Sequence, residues 1–355
     1  MLADLGQATL RHGQTMALRM FEPPQDDLAP RLLHFLEHKD NDSLRGLRQR
    51  VQGQYVEHCV DRYFIGEVDG RIVGQAWYGL PRVGGFVPEP AAGSGTNPPT
   101  RSWGIGNFGH VYTEPEWRGE GVASEIVRVL VDHFQAEPTG KCLLCSASAQ
   151  SGRIYRKYGF EFIPPTAESG AMGLVKGETF VELEARYFAP GRPVRVREGH
   201  IGHRHDIDRL MDFSPAWIEA RRRWHFAFIA STVPTYIAAL HKVEDGRGLL
   251  TVMQTDGGSI VGYAYVLNLG SPHEPHLRTL DFAVHPHYLA QAGTLLGETL
   301  GMAAEADAAP VHAFVAACDE AKLTALLAAG FAVAYTFAGG FVLDGETHDL
   351  LMLRH

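Results

Sequence analysis

Two periods run through the chain and divide it into strands and helices. Tyr63 to Val68, Arg71 to Gly79 and Phe108 to Thr113 are short runs rich in β-branched and aromatic residues, bounded by Gly, Pro or Asp, which predicts strands. Ala17 to Phe21 reads the same way, and helices are predicted between Asp26 and His58. Val122, Ile126, Val129, Leu130 and His133 recur at helical spacing, so a helix is predicted from about Glu120, with Ser124, Glu125 and Arg128 on its wetter side. A strand at Cys142, a helix around Tyr155 and strands near Glu161 and from Thr179 to Ala185 follow.

The pattern then repeats. Pro115 has a counterpart in Pro286, and Gly159-Phe160 in Gly330-Phe331, both 171 positions on (286 less 115, 330 less 159). Gly70 to Trp77 matches Gly258 to Tyr265 at 188 positions (258 less 70), so the first half carries about 17 extra residues, the difference of the two offsets, between these strands. They fall in a Pro/Gly-rich loop from Pro81 to about Arg101, read either as a lid on the substrate side or as a surface excursion. Pro190-Gly191-Arg192-Pro193 breaks any regular element and is the expected linker, giving domains 1–190 and 191–355. In the second half, a strand from Val194, helices from His205 to about Leu240, a hairpin of Leu249 to Gln254 with Ile260 to Asn268, a strand from Leu280 to Val284 and a closing tail from Val333 to Leu353 are predicted.

Composition narrows the class. With 355 residues, 45% hydrophobic and 21% charged, two domains of ordinary size have enough apolar material for their cores. No apolar run reaches the length of a membrane span, and Met1 to Gln14 lacks the apolar core of a secretory signal, so a cytoplasmic protein is expected. A net charge of −9 argues against non-specific nucleic-acid binding and favours cationic partners such as amines. Four cysteines make no disulfide scaffold, and Cys142 and Cys145, three apart on a strand, point to opposite faces, so no metal site is expected there. His200, His203, His205, Asp206 and Asp208 span a strand exit and a helix start, and His285-Pro286-His287 reads as a turn, so neither is taken as a metal site. Trp217, Trp224, Phe226 and Phe228 are read either as the lining of an acceptor pocket or, as is commoner for aromatics in a helical segment, as core.

The chemistry concentrates between His110 and Ala123. A strand, a turn at Pro115, two glycines and a helix start make an anion pocket: the first helical amides lack partners, and the dipole favours negative charge. Gly119 and Gly121 let a phosphate approach the backbone, and Arg118 adds a charged fork. The expected guest is a pyrophosphate.

The spacing Arg118-x-x-Gly121-x-Ala123 after a hydrophobic strand resembles the coenzyme A signature of the GCN5-related N-acetyltransferase (GNAT) family. Ser151 to Phe160, ending Tyr155-Arg156-Lys157-Tyr158-Gly159-Phe160, resembles that family's later helix, which brings a tyrosine to the cofactor sulfur. The resemblance implies an α/β fold, two tandem GNAT-like domains, each a mixed and mostly antiparallel sheet flanked by helices. It implies acetyl-CoA as acyl donor, held by Val111, Thr113, Arg118, Gly119, Glu120, Gly121, Val122, Ala123 and Ser148, with Tyr155 as general acid. Ser148 stands where the family commonly has an asparagine. The implied reaction is acetyl transfer to a primary amine of a small molecule by direct attack, with no metal. A non-catalytic acyl-CoA sensor and a protein-lysine acetyltransferase are the alternatives.

In many family members a carboxylate nine residues before the motif arginine serves as base; here that position is Gly109. An alkylammonium needs roughly 4 to 5 kcal/mol to lose its proton at pH 7, so the omission matters. His110 is the candidate base, although strict alternation turns it to the face opposite Gly109 unless a bulge intervenes. Glu67 or a residue from the second half is a further candidate, and Glu114 is expected to be solvated.

At the same register Arg118 becomes Leu289, Gly119 Ala290, Gly121 Ala292 and Tyr155 Leu326, so the second half reads as a copy without a working coenzyme site. The layout resembles tandem acetyltransferases of the mycothiol synthase kind, with the N-terminal copy intact instead of the C-terminal one. Gly293, Gly297 and Gly301 share one face of the second copy's helix, which predicts close packing by the other half or by a second copy in a homodimer.

Overall fold

The computed structural model describes residues 2–37, 41–82, 104–222, 232–269, 276–306 and 310–355. They form two compact units, Met1–Leu183 and Glu184–His355, each a mixed sheet flanked by helices.

The first unit contains β1 (Leu2–Thr9), β2 (Thr15–Phe21), α1 (Ala29–His34), α2 (Asn41–Val51), β3 (Cys59–Val68), β4 (Arg71–Pro81) and β5 (Gly104–Thr113). Then follow α3 (Val122–Ala136), β6 (Gly140–Ala147), α4 (Ala149–Arg156), β7 (Glu161–Phe162), β8 (Gly170–Val175) and α5 (Phe180–Tyr187). The sheet order is β1-β2-β3-β4-β5-β6-β8-β7, with only the β5–β6 pair parallel. One face buries Phe21, Leu32, Phe35, Leu47, Tyr63 and Trp77 in the core under α1 and α2. The other buries Met16, Phe64, Tyr78, Ile126, Leu130 and Phe160 under α3 and α4. Each such side chain contributes roughly 1.5 to 3 kcal/mol, so both helical layers are tied to the sheet by burial. Gly74 on β4 permits a close approach, because a Cβ there would lie 2.7 Å from Val122 at the start of α3.

The second unit contains β9 (Val194–Glu198), α6 (Pro215–Arg221), α7 (Thr232–Glu244), β10 (Gly248–Thr255), β11 (Ile260–Asn268), β12 (Arg278–Val284), α8 (Ala292–Ala306), β13 (Val311–Ala316), α9 (Glu320–Ala328), β14 (Ala332–Leu343) and β15 (Glu346–Arg354). Its order, β9-β10-β11-β12-β13-β15-β14, repeats that of β2 to β7 strand for strand, and the β12–β13 pair is again parallel. The duplicated sequence is thus a duplicated topology.

Three elements depart from the sequence expectation. Thr179 to Ala185 is helix, not strand, because Thr179 and Glu182 form a capping box: the Thr179 N–H donates to Glu182 (2.8 Å) and the Glu182 N–H to Thr179 Oγ1 (3.2 Å). β1 and β8, neither of them foreseen, complete the first sheet. The units divide before the Pro190 linker because the end of α5 belongs to the second core. Tyr187 donates to Asp206 (2.8 Å) and accepts from the Ile260 N–H (2.8 Å), and Phe188 stacks on His285 at 3.9 Å.

Beyond Arg82 the Pro81 to Arg101 loop lies outside the described residues, as do Trp224, Phe226 and Phe228. Gly293, Gly297 and Gly301 are exposed, and a Cβ at any of them would meet nothing within 4 Å. Among the described residues no helix is long and apolar enough to cross a membrane.

Candidate active site

The site is built where two neighbouring strands part. β5 and β6 pair in parallel from Gly104 to Asn107 and then separate. At the same point β5 bulges against β4: Trp77 faces Gly109 and Gln75 faces Tyr112, so one β4 residue opposes His110 and Val111. His110 takes a positive φ of 53° to accommodate the extra residue. The bulge therefore overturns strict alternation. His110 stacks on Trp77 (4.9 Å between centroids), on the face covered by α1 and α2, while Val111 packs with the core under α3.

The indole of Trp77 is itself held from below. Its Nε1 donates to Asp61 (2.8 Å), which is ion-paired with Arg50 (2.8 Å), all three buried. Breaking such a pair by removing one partner costs about 3 to 5 kcal/mol, so the floor under His110 is rigid. Tyr112 stacks on Phe35 (5.0 Å) and extends the aromatic wall.

From the opposite face comes Tyr155, on α4. Its ring meets Phe108 edge-on at 4.9 Å and lies 5.9 Å from Phe160. Burial pushes its phenol well above the usual tyrosine range, partly offset by a hydrogen bond with Ser151. His110 and Tyr155 thus reach the parted strands from opposite sides of the sheet. Ser148 caps α4, accepting from the Ser151 N–H at 3.2 Å, so its oxygen is already engaged in holding the helix that carries Tyr155.

The glycine loop expected to hold an anion follows β5. A short turn at Pro115–Trp117 leads to Arg118, and α3 begins at Val122, two residues later than its periodicity indicates. Gly119 and Gly121 have φ of +88° and +99°, where other residues are strained, and a Cβ at either would meet nothing within 4 Å. Val122 and Ala123, with Ser124, form the first turn, whose amides have no acceptor within the helix. Arg118 donates through Nε to the Thr113 carbonyl (3.2 Å) and lies over the Tyr112 ring (5.8 Å), which ties the loop to the end of β5.

Glu120 is anchored by the β1–β2 turn. His12 Nδ1 lies 2.6 Å from its carboxylate, the His12 N–H donates to the same carboxylate at 3.2 Å, and the Arg11 N–H donates to its carbonyl at 3.2 Å. No local signal marks this contact, because β1 was not foreseen. At the far end of the loop the Ser124 and Tyr158 hydroxyls meet at 2.8 Å and join α3 to α4.

The remaining carboxylates are engaged. Glu67 pairs with Arg19 (2.9 Å) and Arg31 (3.5 Å). Glu114 is buried, not solvated as expected, with Arg71 at 3.5 Å. Gln75, Trp77, Asp61 and Arg50 escaped the sequence reading, since each looks like an ordinary strand or helix residue until the register brings them together.

Residues 60–162 match the model of the acetyltransferase (GNAT) domain. Two similar solved structures are a GNAT superfamily phosphinothricin acetyltransferase from Sinorhizobium meliloti in complex with AcCoA and a spermidine N-acetyltransferase from Vibrio cholerae in complex with CoA and spermine. The first is 14% identical over 46% of this chain and 87% of its own, with a TM-score of 0.39. The second is 13% identical over 46% of this chain and 94% of its own, with a TM-score of 0.37. No curated protein matches the chain. On the family match across residues 60–162, the first unit carries a GNAT acetyltransferase domain.

Proposed function

We propose that the first unit transfers an acetyl group from acetyl-CoA to a primary amine of a small molecule, by direct attack. The loop Arg118–Ala123 carries this reading: two glycines at positive φ open onto space at the start of a 15-residue helix. Backbone amides and the dipole at that end favour a pyrophosphate, with Arg118 beside it. Val111 and Thr113 on the parted strand are the groups expected to meet the pantetheine arm, and Ser148, already a cap, is left a minor part.

The amine nitrogen attacks the thioester carbonyl, a tetrahedral intermediate forms, and the C–S bond breaks to release CoA thiolate. A thiol titrates near 8.5, and the Tyr155 phenol, raised by burial, holds its proton more tightly still. Tyr155 therefore serves as a hydrogen-bond donor to the developing thiolate, with full transfer running uphill. His110, turned by the bulge toward the aromatic face, is the candidate to receive the amine proton.

Free thiol, followed after mixing the protein with acetyl-CoA and an amine panel, tests the reading; CoA binding without amine-dependent thiol release overturns it. Tyr155→Phe is expected to lower kcat by roughly 100-fold with CoA affinity unchanged, the lower end of the range for a removed catalytic donor. Equal loss of both would remove Tyr155 from this role. The missing carboxylate at Gly109 favours one second reading, an acyl-CoA sensor without turnover, and the thiol assay separates the two.

A further inference from the structure

A carboxylate is out of place in a loop expected to hold phosphate, yet Glu120 stands between Gly119 and Gly121. It lies one residue before the N-cap of α3, and its side chain is only 13% exposed. No side chain caps α3, so the amides of Val122, Ala123 and Ser124 are open to an anion. A flexible carboxylate beside such amides is itself a ligand for them, and it repels a second anion. Left free, Glu120 would compete with a pyrophosphate for the same groups.

The β1–β2 turn holds that carboxylate at both oxygens. His12 Nδ1 lies 2.6 Å from Oε1, and the His12 N–H donates to Oε2 at 3.2 Å. The Arg11 N–H donates to the Glu120 carbonyl at 3.2 Å, which fastens the loop backbone to the same turn. The turn is itself closed, since the Leu10 N–H donates to Gln14 (2.8 Å) and the Gly13 N–H to Leu10 (2.9 Å). Among the described residues no Lys or Arg pairs with Glu120. The His12 side chain is 75% exposed, so it adds little to stability, and its effect falls on where the carboxylate sits.

We infer that His12, on the acetyl-transfer reading above, is a positioning residue for the cofactor loop. It draws the Glu120 carboxylate back from the first amides of α3 and keeps them open to the pyrophosphate of CoA. Calorimetric titration of the full chain with CoA, and separately with inorganic pyrophosphate, tests this. His12→Ala is expected to weaken both by roughly fivefold, the effect of one charge at a helix start, with Tm unchanged. Glu120→Ala removes the competing anion and is expected to tighten both by about twofold, and His12→Ala added to it is expected to have no further effect. A merely structural contact gives the opposite pattern, with each single variant weakening binding. Unchanged affinity in His12→Ala, weaker binding in Glu120→Ala, or a full His12 effect in the double variant overturns the inference, as does failure to bind either ligand. The two readings fail separately. Thiol release with a silent His12→Ala sinks the positioning role alone, whereas pyrophosphate binding in the expected pattern without CoA binding upholds it and sinks acetyl transfer.

Discussion

The cleft beside β5 and the cleft beside β12 stand on the same strand order and differ in what crosses them. In the first unit, β5 bulges at His110, and α4 meets the strand through aromatic packing of Tyr155 on Phe108. In the second, β12 runs against β11 in unbroken register, and Asp281, the counterpart of His110, reaches Lys322 on α9 at 2.7 Å, both wholly buried. Tyr265, the counterpart of Trp77, donates to the same carboxylate at 3.3 Å. A groove of about 900 Å³ lies beside α8 and α9, lined by Leu289, Ala290 and Ala292 with Asp319 and Glu320 and, among the described residues, by no Lys or Arg. The second unit has the same strand order, carries Leu289, Ala290 and Ala292 at the positions of Arg118, Gly119 and Gly121, and ties the parting strand to the helix through Asp281 and Lys322. An open bulge suits exchange of a substrate, and a buried ion pair in its place suits permanence.

The strongest way to break this comparison is to cut that tie. Lys322→Met leaves Asp281 buried without its cation and is expected to cost about 3 to 5 kcal/mol in denaturant unfolding, while Lys322→Met with Asp281→Leu recovers most of it. A cost under about 1 kcal/mol for the single variant would mean that the pair does not hold α9. Next in size is the cofactor. Arg118→Ala is expected to weaken CoA binding by roughly tenfold or more, as loss of a charge-assisted hydrogen bond does. Calorimetry on the unaltered protein is expected to count one CoA per chain. Two per chain, or an unchanged affinity in Arg118→Ala, would erase the difference drawn between the clefts.

Local signals in the sequence sufficed for the glycine turn that opens α3, because glycines at 119 and 121, an arginine and a helical period all sit within a dozen residues of one another. The duplication was legible for the same reason, as paired Pro and Gly-Phe landmarks. What escaped depends on register. Alternation alone turns His110 to the face opposite Gly109, and whether the bulge named as its exception is present carries no mark in the sequence; the positive φ that turns it becomes visible only when Trp77 and Gln75 are paired with Gly109 and Tyr112. Thr179 to Ala185 alternates like a strand, yet its capping box decided for helix. The Asp281–Lys322 pair joins residues 41 positions apart, and nothing near either one announces the other.

The subtlest prediction concerns how the second unit uses buried polar groups. Burial raises the Asp206 carboxyl to about 7, while burial with nearby His287 lowers His285 to about 3. Between about pH 4 and 7 the unfolded chain has released the Asp206 proton and the folded chain retains it, so this group makes stability fall by about 1.4 kcal/mol per pH unit as pH rises. His285 acts with the opposite sign: between about pH 3 and 6.5 the unfolded chain binds a proton that the folded chain does not, so stability rises with pH. The two slopes oppose one another up to about pH 6.5, and Asp206→Asn exposes the rising one. Urea midpoints at pH 4.5, 5.5 and 6.5 are therefore expected to diverge between the unaltered chain and the variant, with the variant gaining at each step. Parallel curves would mean that Asp206 titrates alike folded and unfolded, and that burial there does not couple a proton to folding.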